Sequence, residues 1–231
     1  MRGWFITGTD TGVGKTFFAA ALLRALARAG HRAVGMKPVA SGCRETPSGL
    51  RCADAERLLV HGSVQADYAD VNPYAFAAPV APQLAAAAAG VEIRLEKIEE
   101  HFARLRRLAP LVVVEGAGGW LAPLDGRRTM ADIAVTLRLP VILVVGMRLG
   151  CLNHALLTAA AISRAGAPLA GWVANRIDPA MAMFEENLAA LQERLGAPPL
   201  VCLPHLEDEA AAASRIAIAL SPLLKSAGEN G

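Results

Sequence analysis

Short apolar runs alternate with longer stretches of helical periodicity along the chain. Continuous Val, Ile and Leu runs predict strands at 3–7, 33–37, 111–115, 141–145, 169–175 and 200–203. Between them, apolar positions at helical spacing predict helices at 15–29, 53–59, 82–88, 95–108, 130–137, 152–164, 181–195 and 209–224. Strands that lack polar alternation are buried on both faces. With helical crossovers between them they imply an α/β fold, a mostly parallel sheet with helices on both faces. Ligands of such sheets sit at the carboxyl ends of the strands, so the strand-ending residues are the first candidates for chemistry. Helix 95–108 shows the usual split. Leu95, Ile98, Phe102, Leu105 and Leu108 form an apolar stripe, while Glu100 and Arg104 form an i,i+4 pair on a solvated face.

Composition narrows the class. The chain has 231 residues, 54% of them hydrophobic, enough for a substantial core. A net charge of +2 leaves no nucleic-acid footprint. No apolar run has bilayer-spanning length, and the first apolar segment runs straight into a functional-looking loop rather than a cleavage site. A cytoplasmic protein without membrane partners is the expectation. Cys43, Cys52, Cys151 and Cys202 lack the paired spacing of a zinc site and read as reduced, buried thiols. With no linker and no internal repeat, residues 1–225 read as one domain and 226–231 as a flexible end.

The first predicted strand enters Gly8-Thr9-Asp10-Thr11-Gly12-Val13-Gly14-Lys15-Thr16, and a small-residue helix follows. This is the layout of a phosphate-binding loop: glycines turn backbone N–H groups inward, Lys15 reaches the outer phosphates, and the Thr16 hydroxyl can ligate Mg²⁺. The new helix points its positive end at the anion. Gly8 and Gly14 enclose five residues, one more than the usual pattern.

Other strand ends carry further candidates. Lys37 follows the second apolar run and could bring a second cation to the phosphates; a lysine snorkelling to solvent is the equal alternative. Ser41, beside Gly42, either donates to a substrate or shapes the turn. The run Val112-Val113-Val114 closes on Glu115, and a carboxylate there is costly unless paired or metal-bound, which favours a Mg²⁺ role. Gly116, Ala117 and Gly118 then allow backbone to approach a ligand. Asp54 is a weaker acid candidate, equally a first-turn residue of its helix. Gly150, Cys151, Leu152 and Asn153 lead into a helix N-terminus suited to an anion, with an ordinary cap as the plain reading. Asn175 ends the fifth strand, where its amide could read a nucleobase edge or serve a turn.

Taken in order, the loop at 8–16, Lys37-Pro38-Val39-Ala40-Ser41-Gly42, Val71-Asn72-Pro73-Tyr74, Glu115-Gly116-Ala117-Gly118-Gly119-Trp120, Leu149-Gly150-Cys151-Leu152-Asn153-His154-Ala155 and Ala170-Gly171-Trp172-Val173-Ala174-Asn175 resemble the dethiobiotin synthetase family over nearly the whole chain. The lengthened loop is a trait of that family. The resemblance implies a single-domain P-loop NTPase fold and an ATP-dependent cyclo-ligase. In that reaction 7,8-diaminononanoate takes up CO₂ as a carbamate, the carbamate attacks the γ-phosphate, and the second amine closes the ring on the mixed anhydride, giving dethiobiotin, ADP and phosphate. By the same resemblance Lys15, Lys37 and Thr11 serve catalysis, and Thr16, Asp54 and Glu115 hold Mg²⁺. Gly12, Val13, Gly14, Lys15 and Thr16 hold the phosphates. Gly116, Ala117, Gly118, Asn175, Arg176, Pro204, His205 and Leu206 lie about the nucleotide, with Arg176 in a variable part of the base-binding region. Ser41 binds substrate, and family members are homodimers in which the 150–153 turn of the partner subunit receives the substrate's carboxylate tail.

The alternative is a partner-regulated ATPase of the chromosome- or septum-positioning type, which uses a similar Gly-Val-Gly-Lys-Thr loop. Those proteins carry an early loop lysine where this chain has Asp10.

Overall fold

The computed structural model describes residues 3–205 and 208–228. In chain order the elements are β1 (Gly3–Gly8), α1 (Lys15–Arg28), β2 (Ala33–Met36), β3 (Val39–Ala40), β4 (Arg44–Thr46), β5 (Gly49–Arg51), α2 (Ala53–His61), α3 (Tyr68–Val71), β6 (Tyr74–Ala75), α4 (Pro82–Ala88), α5 (Leu95–Leu108), β7 (Leu111–Glu115), α6 (Met130–Thr136), β8 (Val141–Gly146), α7 (Cys151–Arg164), β9 (Leu169–Asn175), α8 (Phe184–Leu195), β10 (Val201–Leu203) and α9 (Glu209–Gly228).

Six strands form the central sheet in the order β10-β9-β8-β1-β7-β2, and every pairing in it is parallel. Successive side chains of a strand point to opposite faces, so continuous apolar runs feed two cores at once. Phe5, Val112, Val114, Leu143, Val145 and Trp172 pack on the face covered by α5, α6 and α7. Trp4, Ile6, Val113, Ile142, Val144 and Val173 pack on the opposite face, against Phe18, Leu22 and Leu26 of α1 and Ile216 and Leu220 of α9. Because β1 has later strands on both sides, the chain reverses direction around it. The crevice at that reversal lies at the ends of β1, β2, β7, β8 and β9, where the candidate residues cluster.

Several boundaries differ from the sequence expectation for local reasons. Helix α7 begins at Cys151, one residue early, because Gly150 adopts a left-handed φ of 94° and caps it. Helix α8 begins at Phe184 rather than at 181, because Met183 sits at φ 54° and breaks the expected run. The polar hairpin β4–β5, the two-residue ladder β3–β6 and the short α3 went unpredicted. The expected loose end at 226–231 falls partly within α9 and partly outside the described residues. The Glu100–Arg104 pair forms at 2.7 Å.

Candidate active site

The loop after β1 is fixed by neighbours distant in sequence. Gly14, at φ 92°, caps α1 in the left-handed region. A Cβ there would lie 2.1 Å from Asn175 Nδ2, so both backbone and space require glycine. The Asn175 amide donates to the Val13 carbonyl at 2.8 Å and pins the loop from β9. From β8, the Val144 carbonyl accepts Thr9 N–H at 3.0 Å, and Gly146 N–H donates to Thr9 Oγ1 at 3.3 Å. Asp10 accepts Thr11 N–H at 2.7 Å through one carboxylate oxygen and Arg148 Nη2 at 2.7 Å through the other.

Four charges converge where the loop meets the ends of β2 and β7. Lys37 Nζ lies 2.6 Å from Glu115 Oε1 and 2.9 Å from Asp54 Oδ2, and it donates to the Gly116 carbonyl at 3.2 Å. Lys37 is 4% exposed and Glu115 1%, so the lysine does not snorkel. Burial opposes the charge on Lys37, but Glu115 and Asp54 outweigh it and hold the ammonium well above its ordinary range. The Asp54 carboxyl is held low: burial raises it, but Lys37, Thr16 and Lys15 pull it down further. Lys15 donates to the Asp10 carbonyl at 2.8 Å, and burial followed by repulsion from Lys37 pushes it down to about 8. Thr16 Oγ1 donates to Glu115 Oε1 at 2.7 Å. Glu115 Oε2 is buried without a hydrogen-bond partner. A buried carboxylate oxygen left unpaired is costly, which marks a place for a cation or donor.

These groups open into a cavity of about 430 Å³ whose walls include Thr11, Gly12, Gly14, Lys15, Thr16, Lys37, Ser41, Asp54, Glu115, Ala117 and Gly118. Half of the residues singled out from the sequence are therefore brought together in this cavity. Gly116 is buried behind them. Gly150 and Asn153 are instead exposed at the start of α7, with Leu152 half-buried and Cys151 buried. Arg176 stacks over Phe184 at 4.8 Å and donates to the Pro179 carbonyl at 3.1 Å. Pro204 and His205 are exposed beyond β10, His205 Nδ1 lies 3.3 Å from the Arg176 carbonyl, and Leu206 lies outside the described residues.

Sequence reasoning missed Phe17, Ala40, Cys52 and Arg57, which also line the cavity. A signal existed for Arg57: it stands three residues after Asp54 in α2 and so shares its face. It was also silent on Arg148, whose partner Asp10 is 138 residues away.

A family model described as an AAA domain matches residues 2–213. The ATP-dependent dethiobiotin synthetase BioD of Xanthomonas axonopodis pv. citri (strain 306) is 56% identical over 195 residues, covering 84% of this chain and 87% of that protein. The ATP-dependent dethiobiotin synthetase BioD of Pseudomonas aeruginosa (strain UCBPP-PA14) is 53% identical over 224 residues, covering 96% and 98%. Among solved structures, the MinC:MinD cell division protein complex of Aquifex aeolicus superposes with a TM-score of 0.59 at 16% identity, covering 97% of this chain and 95% of that one. A ParA family ATPase from Chlorobium tepidum TLS gives 0.54 at 16%, covering 100% and 95%. At such identity the structural likeness is one of fold alone.

Proposed function

The chain belongs to the ATP-dependent dethiobiotin synthetases, and on that footing we propose how its residues carry out the reaction of this family. The enzyme is an ATP-dependent cyclo-ligase of biotin biosynthesis. It converts 7,8-diaminononanoate, CO₂ and ATP to dethiobiotin, ADP and phosphate. The observation that carries the assignment of roles is the shared cavity, in which Lys15, Lys37, Thr16, Asp54 and Glu115 meet at the mouth of the phosphate loop.

The reaction joins two anions, a carbamate and the γ-phosphate, so its barrier is largely electrostatic. Lys15 and Lys37 supply positive charge at the point of attack. Each is held by protein in this structure: Lys15 by the Asp10 carbonyl, Lys37 by Glu115 and Asp54. Phosphate offers Lys15 a fully charged acceptor in place of a carbonyl, and Lys37 a further anion beside its two carboxylates. Thr11, at the open edge of the loop, touches both partners, and the N–H groups of 12–16 hold the phosphates. The substrate brings both nucleophiles, so the protein needs no acid–base triad.

The donor set fits Mg²⁺. Asp54 and Glu115 supply hard oxygens, Thr16 a hydroxyl, and Glu115 Oε2 is the buried oxygen that lacks a partner. The ion would neutralise phosphate charge when bound beside these three residues. Ser41 would bind the amine end of the substrate. Gly116, Ala117, Gly118, Asn175, Arg176, Pro204, His205 and Leu206 would surround the nucleotide. Asn175 does so with its amide N–H₂ already engaged by Val13, which leaves its carbonyl oxygen for the base.

The working unit is a homodimer, with the 150–153 turn of one subunit receiving the substrate carboxylate of the other. Support comes from the exposure of Gly150 and Asn153 in that turn and of large apolar neighbours, Leu149 at 96% and Leu157 at 62%. Residues 1–225 act as one catalytic domain. Its four free cysteines suit the reducing cytoplasm. Among the described residues, no helix is long and apolar enough to cross a membrane. The septum-positioning alternative rests on fold likeness alone, and Asp10, held by Arg148, gives the loop a carboxylate where that class has its lysine. Assay of purified protein with diaminononanoate, bicarbonate and MgATP tests the reading through formation of dethiobiotin.

A further inference from the structure

Beside the charge cluster, two buried cysteines bracket a short hairpin. Cys43 and Cys52 flank the hairpin β4–β5, whose register pairs Arg44 with Arg51, Glu45 with Leu50 and Thr46 with Gly49. One step outward along the same register, Cys43 stands opposite Cys52. Residues opposed across an antiparallel pair have Cα atoms about 4.5–5.5 Å apart, inside the roughly 4.4–6.8 Å span of disulfides. The Cys43 thiol donates to the Ala40 carbonyl at 3.8 Å, and burial, reinforced by Cys52, pushes it up to about 11, so Cys43 rests as the thiol. Both residues are buried, yet Cys52 lines the cavity together with Ser41 and Asp54. Cys43 follows the Ser41-Gly42 turn and Cys52 immediately precedes α2, so a bond between them would join the two segments that carry Ser41 and Asp54. The hairpin between them is short and mostly exposed, with three residues in each strand.

We propose that Cys43 and Cys52 form a dithiol modification site in the wall of the active-site cavity, closed to an internal disulfide by exchange with a small-molecule disulfide. Cys52 reacts first because it faces the cavity. Its thiol gives a proton to solvent, its sulfur attacks one sulfur of the small disulfide, that S–S bond breaks, and one small thiol leaves after protonation. Cys43 then loses its proton and attacks the Cys52 sulfur of the mixed disulfide, releasing the second small thiol. Two protein thiols are oxidised by two electrons and one small disulfide is reduced to two thiols. Since the reagent reaches Cys52 through the cavity, a bound nucleotide closes the route.

The experiment treats the purified chain with oxidised glutathione and reads intact mass and crosslinked peptides. The wild type is expected to lose two hydrogens, without retained glutathione, and to yield a peptide linking Cys43 to Cys52. Cys43→Ser is expected to stop at a glutathione adduct on Cys52. The crosslinked wild-type peptide needs no variant, so the outcome does not depend on how Cys43→Ser folds. MgATP at ten times its dissociation constant, with binding verified calorimetrically in the same solution, should slow closure roughly tenfold. That arm rests on the nucleotide reading of the cavity, whereas the disulfide is read by mass alone. Stable glutathione adducts on wild-type Cys52 with no internal disulfide would overturn the proposal. So would closure that proceeds at the same rate with MgATP bound.

Discussion

Lys37 Nζ sits 2.6 Å from one oxygen of Glu115, while the other oxygen of that carboxylate is buried with no partner. The ion pair is thus complete on one side only. Removing one member of a buried pair commonly costs about 3–5 kcal/mol, because the remaining charge is left unpaired. Lys37→Ala should therefore lower the melting temperature, and Mg²⁺ should restore more of it in the variant than in the wild type. Its turnover should fall about 10²–10³-fold with little change in nucleotide affinity, since the lysine acts on charge that develops during reaction. Parallel thermal shift, calorimetry and steady-state assays check both parts. Equal losses in turnover and affinity would reduce Lys37 to a binding residue.

Glu115→Gln keeps the shape of the side chain and removes its charge. The Mg²⁺ concentration needed for half-maximal activity should rise about tenfold or more, the range seen when a metal site loses part of its support. Magnesium titration at saturating ATP measures it. An unchanged midpoint would remove Glu115 from the metal site.

Lys15 carries a pH signature. Burial and Lys37 depress it to about 8, below its ordinary 10.5, so the unfolded chain binds this proton more tightly than the native one. The charged lysine therefore costs stability, fully so below pH 8, and the cost is relieved as pH rises from 8 towards 10.5. Lys15→Met should stabilise the ligand-free protein at pH 7 by up to about 3 kcal/mol, with the gap shrinking by pH 10. Melting curves across that range test the sign. ATP affinity of the wild type should weaken as pH rises above about 8, because phosphate binding requires the charged form.

Much of this was legible in the chain, for identifiable reasons. The run Val112–Val114 closing on Glu115 forces a choice between partner and metal, and the structure supplies Lys37 on one oxygen and leaves the other open. Lys37 itself stood evenly between solvent and site, because a lysine at a strand end gives no sign of how deep the end lies. The hairpin at 44–51 was invisible since its strands are nearly all polar and carry no period-2 apolar face. Asn175 stood between reading a base and serving a turn, and its hold on the loop left no sequence signal because Val13 lies 162 residues away.

The Asp10–Arg148 pair is half exposed on both sides, so breaking it should cost less than about 1 kcal/mol of stability. Its effect belongs to the loop. Asp10→Asn and Arg148→Ala should each weaken ATP binding modestly, and the double variant should be no worse than the poorer single one. Additive losses in a double-mutant cycle would mean that the two residues act separately.

The dimer proposal is tested through Leu157, exposed on α7 away from the charge cluster. Leu157→Glu should shift sedimentation towards monomer and raise the KM for diaminononanoate while leaving ATP affinity near normal. Weakened ATP binding with unchanged diaminononanoate KM would contradict the cross-subunit placement.

The most direct test of the whole account is product stoichiometry. Purified protein given diaminononanoate, bicarbonate and MgATP should form dethiobiotin, ADP and phosphate in equal amounts, with all three absent when diaminononanoate is left out. ATP hydrolysis that proceeds without diaminononanoate, or saturating substrates that yield no ring-closed product, would contradict it.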